Sequence, residues 1–381
     1  MDTGYKEYTT ELRDTSVLTE AFIAQWRALE ADAVEPNPYL SPRFQLPAFQ
    51  WLCDPKPDFL CVWRHEDRQR LLVGLVVVMQ KKGNSKLPFK HLRVFRSKHS
   101  FLGGMLIHSD FAAEVSDQMV KYFTSPKTRF AGLLFSGMPA EGQMALLLKR
   151  AVINNRGKWF EDGRIERACL SGKESDGTRR QLYSISAKKK KDIRRKMRRL
   201  EEIGHVQWRY LEGKEITDES IERFLVLEHM GWKADTKTSL LSSEKEANYF
   251  REMIRNFRNS NGAFFCELLL DGEVISSTCN LKIMNRGYAF KVSWDPEYRK
   301  YSPGILNEVE FLEALDAGAI EMDYVDSGAS ADSYINDLWL DRVTLVAGYM
   351  VFKGQYVIAA RLLYGLRRIK RQALAFIRKP G

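Results

Sequence analysis

Residues 263–304 read AFFCELLLDGEVISSTCNLKIMNRGYAFKVSWDPEYRKYSPG, and the fold is decided there. Residues 263–270 form a run of strand length, apolar but for Glu267, and Asp271-Gly272 behind it supplies the positive φ angles of a tight hairpin turn. A return strand is expected over 273–283, a turn at Asn285-Arg286-Gly287, and a third strand over 288–294. Ser302-Pro303-Gly304 then opens a helix to Asp316. Ser302 suits the N-cap, Pro303 the first helical position and Gly318 the stop. A last strand is expected over 320–325. Upstream, helices are expected over 218–232, with Ile221, Phe224, Leu225 and Glu228 spaced along it, and over 243–258. The order is helix, helix, three meandering strands, helix, strand.

The N-terminal half repeats that order loosely. A helix over 16–30 puts Leu18, Phe22, Trp26 and Leu29 on one face. Strands follow at 59–63, 70–80, 91–95 and 104–108. Then come a helix at 111–123, a strand at 130–136, a helix at 141–155 and a strand at 159–165. No residue-level identity links the halves; the element order alone suggests a duplicated α/β unit. The 381 residues suit two domains. They are expected at 1–180 and 181–381, joined by the polar stretch 171–187, the second opened by a basic helix over 188–203.

With 44% hydrophobic and 28% charged residues, the chain is neither disordered nor disulfide-stapled. Its apolar runs, such as 71–79 and 345–352, fall short of the roughly 20 residues that span a bilayer. The N-terminus lacks the pattern of a secretion signal. The five cysteines, at 53, 61, 169, 266 and 279, form no CxxC pair and no Cys/His cluster. A reduced, cytoplasmic protein without a metal is expected. The six histidines suggest no triad, and neither His99-Ser100 nor Cys53 or Cys61 lies in a nucleophile pattern.

The net charge of +10 is local, which argues against a chain-wide nucleic-acid footprint. Residues 188–199, KKKKDIRRKMRR, hold nine basic residues and one acid. This run reads either as a patch for nucleic acid or anionic lipid, or as a solvated helix face. In the second reading Ile193, Met197, Leu200 and Ile203 dock on protein. The tail 361–381 carries seven cations and no acid. There Ile358, Leu362, Leu366 and Ile369 make one helical stripe. Such a helix either lies on an anionic membrane, as a peripheral contact, or packs its stripe on the core.

The chemistry concentrates at Arg299-Lys300-Tyr301-Ser302-Pro303-Gly304. A helix N-terminus directly after a strand, with Gly in its first turn, offers backbone N–H groups and a positive dipole end to a phosphate. In its surroundings this motif resembles the GNAT superfamily of CoA-dependent N-acyltransferases. The closest resemblance is to the double-domain branch labelled CelD-like, related to the Fem-type aminoacyltransferases. It rests on residues 36–42 (PNPYLSP), Arg198-Arg199-Leu200-Glu201, Leu227-Glu228 with Gly231-Trp232-Lys233, residues 294–298 (WDPEY) leading to residues 301–304, Asp323 to Asp326, and Tyr334 with Trp339.

The resemblance implies two tandem GNAT-like α/β domains, each a mixed, mostly antiparallel sheet flanked by helices, with the first domain degenerate and helping to form the acceptor cleft. It implies acyl-CoA, most simply acetyl-CoA, as co-substrate, with no metal. Val292 and Ser293 would contact the pantetheine through their backbone. Arg299, Lys300, Tyr301, Ser302 and Gly304 would cradle the pyrophosphate. Two departures stand out: Pro303 removes one backbone donor, and Asn336 stands where the branch has Lys. Acyl transfer to an amine needs a proton acceptor and a group that protonates the leaving thiolate. Glu228, Asp295 and Asp326 are the candidate bases and Tyr334 the candidate acid. The implied acceptor is a small amine, such as an amino sugar or an envelope or exopolysaccharide precursor. Two alternatives remain open: aminoacyl transfer from aminoacyl-tRNA, with 188–199 gripping RNA, and a non-catalytic module whose CoA site has decayed.

Overall fold

The computed structural model of the protein describes residues 7–66, 69–84, 87–171, 183–230, 232–330 and 332–377. In chain order its elements are β1 (Tyr8–Arg13), α1 (Glu20–Ala31), α2 (Pro42–Trp51), β2 (Asp58–Glu66), β3 (Gln69–Lys81), β4 (His91–Val94), β5 (Leu106–Ile107), α3 (Ala112–Thr124), β6 (Gly132–Pro139), α4 (Gln143–Asn154), β7 (Lys158–Ser171), α5 (Ala187–Glu201), β8 (Val206–Glu212), α6 (Asp218–Glu228), α7 (Trp232–Asp235), α8 (Glu244–Arg258), β9 (Ala263–Leu270), β10 (Glu273–Ile283), β11 (Arg286–Trp294), α9 (Pro303–Asp316), β12 (Tyr324–Asp326), β13 (Asp341–Val351) and α10 (Gly354–Ile377). They form two compact units, residues 1–42, 53–165 and 344–381, and residues 43–52 and 166–343. The units therefore do not divide at one cut near residue 180. The chain's last helix belongs to the first unit and α2 to the second. The polar stretch expected to join the halves lies largely outside the described residues, as does Gly231.

The first unit carries the strand order β1-β2-β3-β4-β6-β13, with β5 beside β3. Its pairs are antiparallel except β4 with β6, which run parallel. Val115, Met119 and Val120 of α3 and Leu148 and Val152 of α4 pack on Val62, Val73 and Val76 of the sheet. Burying each such side chain contributes on the order of 1.5–3 kcal/mol. At Gly74 a Cβ would lie 2.5 Å from Val115 Cγ1, so α3 can approach only a glycine.

The second unit carries the order β8-β9-β10-β11-β12, with the end of β7 pairing β12. All its pairs are antiparallel except β11 with β12. The Asp271-Gly272 turn forms as expected, with φ of 52° and 88°. The next turn falls at Met284-Asn285, so β11 begins at Arg286 rather than 288. α6 and α8 are joined by Phe224 stacked on Phe250 at 5.3 Å, with Phe250 stacked in turn on Phe290 of β11. Ile193 and Leu200 of the basic helix α5 are buried with Leu268, Leu270, Leu306 and Val309. Met197 is partly buried against that cluster, whereas Ile203 is exposed. Each unit is thus a mixed, mostly antiparallel sheet flanked by helices.

Several elements escape the sequence pattern. α2 contains Pro47, which reads as a breaker, yet Phe44 is fully buried edge-on to Tyr249 and Phe290, and Trp51 Nε1 donates to Glu252 Oε2 at 2.7 Å. β1, β8 and β13 are further strands. β7 runs on to Ser171 through Arg167, a charge made tolerable inside a sheet by its buried partner Asp326. β12 begins at Tyr324, after Gly318 has ended α9 with φ 74°. In α10, Ile358, Leu362, Leu366 and Ile369 all point away from the first unit and are exposed, contrary to the packed reading of that stripe.

Candidate active site

The parallel register of β11 with β12 covers Arg286–Tyr288 and stops at Asp326, while β11 runs on to Trp294. Past that point lies a cleft of about 330 Å³ lined by Val292, Trp294, Arg299, Ser302, Gly304, Ile305 and Tyr334. The sequence-predicted residues Val292, Arg299, Ser302, Gly304 and Tyr334 therefore share one cleft.

Local chemistry explains the shape. Asp295 leaves β11 and accepts from Glu297 N at 2.9 Å, which starts a 3₁₀ turn over Pro296–Tyr301. Ser302 ends that turn in the left-handed region, φ 56° and ψ 56°, a conformation uncommon for a residue with a Cβ. It precedes α9 but its side chain caps nothing there. Instead, Ser302 Oγ accepts from Lys196 Nζ of α5 at 3.0 Å. Lys196 also pairs with Asp192 at 3.0 Å. Part of the basic run thus turns a cation to this loop. Pro303 has no N–H, so Gly304 carries the first backbone donor of α9. A Cβ at Gly304 would meet Trp294 Cδ1 at 3.3 Å, so the glycine keeps this wall of the cleft open. Lys300 Nζ lies 4.9 Å over the ring of buried Tyr301. Ser293 is buried and donates through Oγ to Ser277 O at 3.2 Å, while its carbonyl accepts from Ser276 Oγ at 3.1 Å.

Tyr334 is 37% exposed. Desolvation, and after it the Glu308 carboxylate, push its phenol above the ordinary value. Glu308 lies on α9 one turn past Gly304, on the same helix face. It is buried and accepts from Trp339 Nε1 at 2.8 Å. Burial pushes its carboxyl up to about 7, the indole hydrogen bond opposing the rise. The sequence reading passed over Glu308. Its signal was a carboxylate at i+4 from the glycine of the loop, inside an otherwise apolar helix face.

The three carboxylates read as bases each hold a backbone or an ion pair. Asp295 caps its turn. Glu228 is buried and accepts from Leu240 N at 2.8 Å. Asp326 meets Arg167 twice, at 2.7 Å to each oxygen, and its Oδ1 also accepts from Gly328 N at 2.9 Å. Asn336 accepts from Ala168 N at 3.1 Å and donates to Ser330 O at 2.9 Å, which fixes the loop before Tyr334 and Trp339. Burial pushes the thiols of Cys61 and Cys169 up to about 12 and raises those of Cys266 and Cys279, which disfavours the thiolate. Among the described residues no three His, Cys, Asp or Glu side chains group to hold a metal ion.

The acetyltransferase (GNAT) domain family matches residues 187–334, which contain β11, the loop and Tyr334. No curated protein matches the sequence. Among solved structures, FemX is similar at 9% identity over 90% of this chain and 98% of its own, with a TM-score of 0.52. The C-terminal domain of a putative lysylphosphatidylglycerol synthetase from Agrobacterium fabrum is similar at 10% identity, over 90% and 93% of the two chains, with a TM-score of 0.51. A tandem GNAT protein from the clavulanic acid biosynthesis pathway aligns at 14% identity over 90% of this chain and 98% of its own, with a TM-score of 0.40.

Proposed function

We propose, for a chain whose residues 187–334 match the acetyltransferase (GNAT) domain family, that it moves an acyl group from acyl-CoA to an amine. The observation that carries this reading is the cleft where β11 outruns β12, with Arg299, Ser302, Gly304 and Tyr334 on its walls. The backbone of Val292 and Ser293 takes the donor's pantetheine arm. Arg299, Lys300 and Lys196 neutralise its pyrophosphate, and the Gly304 N–H approaches it at the helix start.

In the transfer, the amine nitrogen attacks the thioester carbon, a C–N bond forms and the C–S bond breaks. The thiolate takes the phenolic proton of Tyr334, kept in place until then by the raised pKa. Glu308 accepts the proton lost by the amine and returns it to Tyr334. A carboxyl near pH 7 suits both halves of that cycle. Asp326, Asp295 and Glu228 position loops. Acetyl-CoA is the simplest donor, and the family resemblance favours an amino sugar or related envelope precursor as acceptor.

The test is release of free thiol from acetyl-CoA by the purified chain with amino-sugar acceptors, with and without RNase. Acceptor-dependent, RNase-insensitive release supports the proposal. A strict need for aminoacyl-tRNA would replace the donor, and failure to bind any CoA species would leave a non-catalytic module.

A further inference from the structure

We propose that α10 is a peripheral membrane-docking helix that seats the first unit on an anionic lipid surface. At 3.6 residues per turn, Ile358, Leu362, Leu366 and Ile369 fall within an arc of about 80°. All four are more than 60% exposed. Gly365 lies about 20° outside that arc, and a Cβ built there meets nothing within 4 Å, so among the described residues nothing covers that edge of the stripe.

The opposite face is what holds the helix. Val357 and Ala360 are buried with Leu87, Phe160, Tyr349 and Val351 of the first unit. Tyr364 donates its hydroxyl to Glu161 O at 2.9 Å, and the Arg367 guanidinium lies over the Tyr349 ring at 5.6 Å. The helix thus has a docked side without any need to bury its leucines. Four large apolar side chains in one line exceed the scattered exposure normal for a surface.

Charge selects the occupant. Arg361 and Arg368 are exposed on the flank of the stripe. The sequence from 361 to 381 holds seven cations and no acid. A second copy laid along the same stripe would bring these cations against their own likeness. An anionic bilayer offers hydrocarbon to the stripe and phosphates to the flanking cations together. Among the described residues no helix is long and apolar enough to cross a membrane, so α10 lies on the surface rather than through it.

Vesicle co-sedimentation of the full chain tests this, with phosphatidylcholine alone against phosphatidylcholine containing one quarter phosphatidylglycerol. Binding is expected to the anionic vesicles and to weaken with salt. Leu362→Asp with Leu366→Asp, exposed sites whose exchange leaves the circular dichroism spectrum unchanged, should abolish it. Arg361→Gln or Arg368→Gln should each weaken it about fivefold. Equal binding to both vesicle types, or none at low salt, overturns the proposal. So does self-association in analytical ultracentrifugation that Leu362→Asp abolishes while vesicles still do not bind.

Discussion

In the first unit α3 links β4 to its parallel neighbour β6; in the second, α9 links β11 to β12. The two crossovers share a topology and differ at their open ends. β4 ends at Val94, one residue past its register with β6 at Leu92 and Arg93, and a long connection containing β5 leads to α3. β11 runs on past β12, and a short turn brings Arg299, Ser302 and Gly304 straight onto the α9 N-terminus. The first unit has a larger, more open hollow of about 740 Å³, lined by Tyr8, Gln118, Lys121, Tyr122 and Thr128. It sits by the last turns of α3, not at a helix N-terminus whose free backbone N–H groups could receive a phosphate. Under the proposed function the contrast teaches that a parallel pair with a crossover helix is scaffold, and that the overrunning strand and short cationic turn would make it a donor site. On this account one unit binds and the other supports.

The sharpest break of the comparison is in chemistry. Tyr334→Phe should lower turnover with acetyl-CoA about 10²- to 10⁴-fold with donor affinity nearly unchanged, measured by steady-state and binding assays. If turnover holds, the second unit has a cleft without an acid.

Next in size is Arg167→Met, which leaves Asp326 buried without its cation. Denaturant unfolding should show a loss of about 3–5 kcal/mol. This variant separates scaffold from site, because Asp326 is assigned to holding β12 against β7. A fully stable variant would return Asp326 to the list of candidate bases.

Gly304→Val should weaken CoA binding tenfold or more by calorimetry, since a Cβ already meets Trp294 at 3.3 Å and the branched methyls would fill the cleft. Arg299→Ala with Lys196→Ala should cost less, several-fold at low salt and little at high salt, as screened charges do.

Smallest is a pH effect at Glu308. Its folded pKa, about 7, lies above the ordinary carboxylate value of about 4.3. The stability it contributes is therefore complete below about pH 4.3 and is lost as pH rises through about 7. Glu308→Gln should raise the melting temperature relative to wild type at pH 8 and not at pH 4. The same variant should remove a limb near pH 7 from the pH dependence of kcat/KM. A limb that survives the exchange would assign the proton acceptor elsewhere.

Much of the second unit was legible because its turns carry unambiguous residues. Asp271-Gly272 fixed a hairpin, and Ser302-Pro303-Gly304 marked both a helix start and the loop that faces the cleft. What was hidden depends on tertiary partners. Arg167 reads as a surface residue until Asp326 is seen beside it. Pro47 reads as a break until Phe44 and Trp51 are seen packed in the second unit. Ser302 reads as a helix cap, and only the approach of α5 shows its hydroxyl given to Lys196. Glu308 is one carboxylate on an apolar helix face, and only the fold shows Trp339 laid against it. The basic run divides accordingly: Ile193 and Leu200 dock as its spacing implies, but which cation would reach the loop is a matter of packing.

The central claim, that one of two similar crossovers holds the donor, is tested most directly by native mass spectrometry of the full chain with acetyl-CoA, wild type beside Gly304→Val. The account predicts one bound CoA per wild-type chain and none on the variant. Two CoA molecules per chain, or one that persists in Gly304→Val, would contradict it.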